Sequence, residues 1–139
     1  MSRARASATA FAPASVGNVA VGFDILGQSV AALGDRVRAT RRAEPSVVIR
    51  SISGVVSDLP LTPERNTAGM AALALQRELG LPFGFELEIE KGIPLGSGLG
   101  GSAASAVAAV VACAALVDRP VDRTQLLKFA MQGEAVASG

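Results

Sequence analysis

Between positions 94 and 105 the chain reads Pro-Leu-Gly-Ser-Gly-Leu-Gly-Gly-Ser-Ala-Ala-Ser. Glycines at 96, 98, 100 and 101 are too dense for a packed helix or strand. Glycine lets the backbone take positive φ and approach a ligand closely. Directly behind them, residues 103–117 form an Ala/Val-rich run with strong helix signal at its start. A glycine-rich loop that feeds a helix N-terminus aims successive backbone N–H groups into one concavity, and the helix end adds partial positive charge. Ser102 and Ser105 add hydroxyls at the helix start, where serine caps well. The chemistry implied is the binding of phosphate, in the first instance that of a nucleoside triphosphate.

Several phosphate loops share parts of this pattern. Gly96, Gly98 and Gly101 satisfy G-x-G-x-x-G, but a dinucleotide site also needs a strand after the helix, ending in an acidic residue about 20 positions on. Asp118 stands near that distance, yet Arg119-Pro120 and another helical segment follow it, and no strand precedes it. A Walker A loop ends in Gly-Lys-Ser/Thr, and this one ends in Gly-Gly-Ser. The glycine loop of protein kinases lies in a hairpin with a Lys on the next strand; here a helix follows. A plain turn joining a strand to a core helix is the remaining alternative. Pro94, the dense glycines and the two serines argue against so plain a use.

Composition narrows the function further. The 139 residues suffice for one domain with a real core. Half of them are apolar, with a mean hydropathy of +0.41. Aromatic residues are limited to five Phe, so the core is built from Ala, Val and Leu, and base stacking is disfavoured. A net charge of +1 without a basic block argues against nucleic acid as a partner. Arg36, Arg38, Arg41 and Arg42 alternate with apolar or small residues, as along one face of a strand. With no His, His-based metal sites, bases and triads are excluded in this chain. The single Cys113 falls in the apolar helical run and reads as a buried core thiol, consistent with a reducing compartment. Residues 92–117 carry no charge, but only about 15 of them form continuous apolar helix, short of the roughly 20 that span a bilayer. The start, Met-Ser-Arg-Ala-Arg-Ala-Ser, lacks the apolar stretch of a signal peptide. The expectation is a cytoplasmic protein with no membrane partner.

The loop needs a scaffold to position it. Ser7 to Ala12 alternates small and apolar residues and reads as a strand. Pro13 to Leu26 is turn-rich, with Gly17, Asn18, Gly22 and Asp24, and reads as a loop. Gln28–Leu33 and Asp35–Arg41 flank Gly34 and predict a hairpin. Ser46 to Ile52 is a further strand, and Pro60 to Arg65 a turn. Asn66 to Leu79 places Met70, Leu73 and Ala74 on one side at helical spacing, with Gly80 as the stop. Phe83 to Lys91 sets Phe85, Leu87 and Ile89 against Glu86, Glu88 and Glu90, a half-buried strand with Lys91 as a surface charge at its end. A turn at Asp118–Pro120 and a helix from Asp122 complete the chain. The order predicts an α+β fold with a mostly antiparallel sheet.

The residues at 94–105 closely resemble the phosphate loop of the galactokinase, homoserine kinase, mevalonate kinase and phosphomevalonate kinase superfamily, the GHMP kinases. Ala-Pro-Ala-Ser-Val-Gly-Asn-Val-Ala-Val-Gly-Phe-Asp-Ile-Leu-Gly at 12–27 narrows the resemblance to homoserine kinases. Gly-Glu-Ala-Val-Ala-Ser-Gly at 133–139 is similar to the next block of that family. The three blocks fall in order across the chain. One position departs: the common form has two serines after Gly-Leu-Gly, and here Gly101 stands in the first place, with Ser102 kept.

The resemblance implies that residues 1–139 form a GHMP kinase N-terminal ATP-binding domain, ribosomal protein S5 domain 2-like, with helices on one face of the sheet. It implies ATP-dependent phosphorylation of the L-homoserine hydroxyl to O-phospho-L-homoserine, for threonine biosynthesis, with ATP and Mg²⁺ required. The backbone of Pro94, Leu95, Gly96, Ser97, Gly98, Leu99, Gly100, Gly101 and Ser102, together with Ser105, matches the ATP site. Ser102 and Glu134 match the family's magnesium pair; the competing role for Glu134 is a solvated helix charge. Asn18 and Asp24 match the homoserine contacts, with Asp24 suited to the substrate ammonium, and ordinary turn chemistry competes there. Asn66 matches a position near the adenine, where helix N-capping competes. No general base is evident. The family has a second, C-terminal domain that this chain does not contain, and the chain is expected to be the N-terminal half of a longer protein. The alternatives are an isolated nucleotide-binding fragment without catalysis and another GHMP kinase of mevalonate type. The expected partners are L-homoserine and ATP, with a homodimer as the candidate assembly.

Overall fold

Strands and helices follow one another as expected for an α+β chain in the computed structural model, which describes residues 5–16 and 28–138. In order they are β1 (Ser7–Val16), β2 (Gln28–Arg42), β3 (Val47–Gly54), a 3₁₀ turn at Pro63–Arg65, α1 (Thr67–Glu78), β4 (Gly84–Lys91), α2 (Gly101–Ala114) and α3 (Arg123–Ser138). The sheet order is β1-β2-β4-β3. Pairings are antiparallel except β3–β4, which is parallel. A parallel pair needs a crossover connection, and α1 supplies it.

The alternation in β4 decides which face is covered. Phe85 and Leu87 are fully buried and Ile89 nearly so, while Glu86 and Glu88 are half-exposed and Glu90 exposed. On the apolar face α2 packs against β1 and β2, α1 against β3 and β4, and α3 rests on α1 and α2. Small residues permit close approach between helices. A Cβ at Gly133 of α3 would stand 2.4 Å from the Thr67 carbonyl oxygen and 2.8 Å from the Ala71 Cβ.

Three local expectations are corrected. No hairpin turns at Gly34; β2 runs through it, and the register with β1 shifts between Pro13 and Ala14. The glycine answers to crowding, since a Cβ there would lie 2.2 Å from the Phe11 ring and 2.6 Å from the Ala12 carbonyl oxygen. A bulge bends a strand instead of reversing it. Second, β1 continues past Ala12 through Pro13 to Val16, which proline tolerates because β1 is an edge strand. Third, Arg41 does not share the face of Arg36 and Arg38. It is half-buried, with its guanidinium 3.7 Å from the Phe83 ring centroid and an N–H donated to the Leu116 carbonyl at 3.3 Å.

Candidate phosphate-binding site

The loop leaves β4 at Lys91 and reaches α2 at Gly101. Gly96, Gly98 and Gly100 take φ of +69°, +73° and +71°, a region costly for residues with a Cβ. Around Gly96 and Gly98 a Cβ would meet nothing within 4 Å. The backbone there is therefore open to an approaching ligand. Gly100 is different: a Cβ would stand 2.5 Å from Ser15 Oγ. The Ser15 N–H donates to the Leu99 carbonyl at 2.8 Å, tying the loop to β1. The Leu99 N–H donates to Ser97 Oγ at 3.3 Å. Residues 94–98 are exposed. The loop borders a cavity of about 310 Å³ that Lys91, Ile93 and Ala137 help to wall.

The two neighbouring helices begin differently. Asn66 caps α1: its side-chain oxygen accepts the N–H groups of Ala68 at 3.0 Å and Gly69 at 3.2 Å, and its Nδ2 donates to the Pro60 carbonyl at 3.1 Å. Gly100, in the left-handed region, precedes α2 without a side-chain cap bond. The expectation that serines cap α2 is corrected, because the helix starts at Gly101 and places Ser102 and Ser105 inside it. Among the described residues no side chain thus caps the start of α2, which leaves its first N–H groups to an anion. A second cavity, of about 210 Å³, lies between the two helix starts and is lined by Asn66, Thr67, Lys91, Ser102, Ser105 and Val136 among others.

Lys91 is not the surface charge expected at a strand end. It is 4% exposed and forms a salt bridge with Asp35, which is fully buried. Its ammonium also donates to Ser105 Oγ at 2.8 Å and the Gly101 carbonyl at 3.0 Å. The Ser105 hydroxyl donates to Asp35 Oδ2 at 2.7 Å. The Ser105 hydroxyl expected at ATP is thus engaged in a buried network beside the cavity. A signal for both charged residues is present in the strands. Asp35 continues the parity of buried Val37 and Ala39, and Lys91 that of Phe85, Leu87 and Ile89.

The structure therefore gathers the 94–102 loop, Ser105 and Asn66 around two adjoining cavities. Glu134 is half-buried on α3. It follows Gly133, which packs on Thr67, and precedes Val136 and Ala137, which line the smaller cavity with Ser102. Asn18 and Asp24 lie outside the described residues. Among the described residues no group of three or more His, Cys, Asp and Glu gathers as a metal cage. A hydroxyl such as that of Ser102 and a carboxylate such as that of Glu134 are hard oxygen donors. They fit an Mg²⁺ that takes its other ligands from water and phosphate. Burial pushes the Cys113 thiol far up from its ordinary value. Among the described residues no helix is long and apolar enough to cross a membrane.

Known proteins resemble this chain in sequence and in fold. The chain is 60% identical over 132 residues to the homoserine kinase of Xylella fastidiosa (strain M12), covering 95% of this chain and 41% of that protein. Identity and coverage are the same with the homoserine kinase of Xanthomonas campestris pv. campestris (strain B100). The chain thus spans about two fifths of the length of the curated relatives it matches. The crystal structure of homoserine kinase from Cytophaga hutchinsonii superposes with a TM-score of 0.92 at 42% identity, covering 100% of this chain and 44% of that one. The GHMP kinase N-terminal domain model matches residues 66–139, which hold the capped start of α1, the glycine loop and all of α2 and α3. A glycine loop in left-handed backbone, an uncapped helix start behind it and a family model over more than half of the chain agree: this chain belongs to the GHMP kinases, as their N-terminal domain.

Proposed function

We propose that this chain is the nucleotide-holding part of an ATP-dependent homoserine kinase, which phosphorylates the side-chain hydroxyl of L-homoserine to give O-phospho-L-homoserine. The observation that carries this reading is the left-handed glycine backbone at 96, 98 and 100, open to ligand at 96 and 98 and leading into the uncapped start of α2. The identity to homoserine kinases supports the choice of substrate.

Phosphoryl transfer asks for in-line positioning and charge neutralisation more than for covalent chemistry by the protein. The N–H groups of residues 96–102 would hold the β- and γ-phosphates. The Ser102 hydroxyl and Glu134 carboxylate would hold Mg²⁺, which when bound neutralises charge on the phosphates. Asp24 would pair with the substrate ammonium, and Asn18, with both donor and acceptor groups, would orient the amino acid. The hydroxyl oxygen of homoserine then bonds to the γ-phosphorus as the bond to the β–γ bridging oxygen breaks, ADP leaves and the hydroxyl proton is released to solvent. The reaction would take place in the cytoplasm, a reading supported by the free, buried thiol of Cys113.

The test is ADP release by the full-length protein with Mg·ATP and, in turn, L-homoserine, mevalonate, galactose and L-serine. Homoserine should turn over at roughly 1–100 per second, in the usual kinase range. Mevalonate and galactose lack an ammonium for Asp24, and L-serine is one methylene short, so each should be much slower. A preference for any of those three would overturn the substrate. Binding of NAD with ATP silent would overturn the phosphate-loop reading as well.

A further inference from the structure

We propose that Asp35 and Lys91 are positioning residues that hold both ends of the phosphate loop, an inference that rests on reading the loop as an ATP site. The Asp35 carboxylate is saturated. Its Oδ1 accepts the N–H groups of Gly92 at 2.9 Å and Ile93 at 3.3 Å, and its Oδ2 accepts from Lys91 Nζ and Ser105 Oγ. An ionised carboxylate offers about four acceptor positions, so none is left. The Lys91 ammonium is equally committed. Its three N–H donors match three acceptors: Asp35 Oδ2, Ser105 Oγ and the Gly101 carbonyl.

The network closes on itself, and its backbone partners are the two ends of the loop. Gly92 and Ile93 open the loop after β4, and Gly101 begins α2. One carboxylate, acting through one ammonium, sets the span that the intervening glycines must bridge. Glycine-rich backbone loses much conformational freedom when ordered. Holding both ends in advance lowers the cost that a ligand would otherwise meet on binding.

The rival role is direct contact between Lys91 and the nucleotide, since Lys91 borders both cavities. The geometry points away from it: Asp35 offsets the charge, and every N–H has a partner. The two roles differ in coupling. Removing one member of a buried pair leaves the other unpaired and costly, whereas removing both leaves no buried charge. Positioning by a pair therefore shows as strong non-additivity.

The variants are Asp35→Asn, Lys91→Met and the double variant, made in the full-length protein. Mg·ATP affinity is measured by calorimetry, with KM for ATP and for L-homoserine. Each single variant should weaken Mg·ATP about tenfold or more, and the double should be no worse than the worse single, as for two groups acting as one. KM for homoserine should change far less than KM for ATP, since the backbone that the network holds belongs to the loop assigned to ATP. Losses that multiply in the double variant overturn the proposal, because Lys91 would then act on the ligand independently of Asp35. So does unchanged ATP affinity in a folded single variant. If a single variant fails to fold, the double, which buries no unpaired charge, decides: weakened Mg·ATP with homoserine KM far less changed supports positioning, and unchanged Mg·ATP affinity overturns it. A wild-type protein that binds no ATP fails the functional reading itself. Wild-type binding with indifferent variants fails only the positioning role.

Discussion

The Thr67 hydroxyl donates to the Ser102 carbonyl oxygen across 3.2 Å, so the first turns of α1 and α2 stand side by side. Two helix N-termini thereby converge on the cavity that both residues line. Their partial positive charges add in a space where an anion could bind. Asn66 already satisfies two N–H groups of α1. The start of α2 has no such cap, which makes it the better seat for phosphate.

Asn66→Ala should destabilise the protein by about 2 kcal/mol, at the upper end for a helix cap because the group is buried. Asn66→Asp keeps the oxygen that accepts from Ala68 and Gly69 and adds a charge that a helix start favours, against repulsion of its second oxygen by the Pro60 carbonyl, so it should cost less than Ala. Urea midpoints should rank wild type above Asp above Ala, with the m-value unchanged. Equal midpoints for all three would show that the cap contributes nothing.

Gly98→Ala and Gly80→Ala form a matched pair. Both glycines have positive φ, +73° and +58°, and at neither would a Cβ meet anything within 4 Å. Each substitution should therefore cost about 1 kcal/mol of stability, from backbone strain alone. Only Gly98 lies in the loop, so only Gly98→Ala should weaken Mg·ATP binding, by about tenfold or more where a methyl takes ligand space. Equal ATP affinity in the two variants would remove the ligand from the Gly96–Gly98 backbone.

Glu134→Gln keeps the shape of the side chain and removes its charge. If Glu134 helps to hold Mg²⁺, half-maximal rate should need about tenfold more Mg²⁺, a loss of roughly 1.4 kcal/mol of metal binding. Metal-free ATP binding should change little. The measurement is rate against Mg²⁺ concentration at saturating ATP. An unchanged curve would leave Glu134 as an ordinary helix charge.

Cys113 is buried, and its thiol is held protonated well above its ordinary value of 9.0 because burial penalises the thiolate. Below that value both folded and unfolded thiols carry their proton, and the group favours neither state. Above it the unfolded chain loses the proton that the folded one keeps. Stability should then fall by about 1.4 kcal/mol per pH unit from this group. Cys113→Ala should flatten the alkaline slope of unfolding free energy by that amount. A disulfide reagent should modify Cys113 only at the rate of unfolding, and fast modification at neutral pH would contradict the burial.

Much of this molecule follows from near neighbours in the chain. Alternation from Phe85 to Glu90 determines which face of β4 is buried, because successive strand side chains point to opposite sides. Asn66 ahead of an apolar helical run determines a capped helix start, since the bonds it makes reach only to Ala68 and Gly69. Dense glycine before a helix determines a loop with an open backbone, as φ is a property of the residue itself. The family was legible for the same reason, because its blocks are short and contiguous.

Other features were decided only by residues distant in sequence. Gly34 looks like a turn until Phe11 of β1 is laid against it, and then its smallness answers to that ring. Asp35 and Lys91 are 56 positions apart and look like surface charges in isolation. The β2–β4 register, which pairs Arg36 with Glu90, brings them together one step further along the buried face. Strand parity determined that both would point inward. Whether an inward charge is tolerable depends on a partner, and only the tertiary structure supplies one: a lone buried charge costs several kcal/mol, while a paired and fully hydrogen-bonded one can be held.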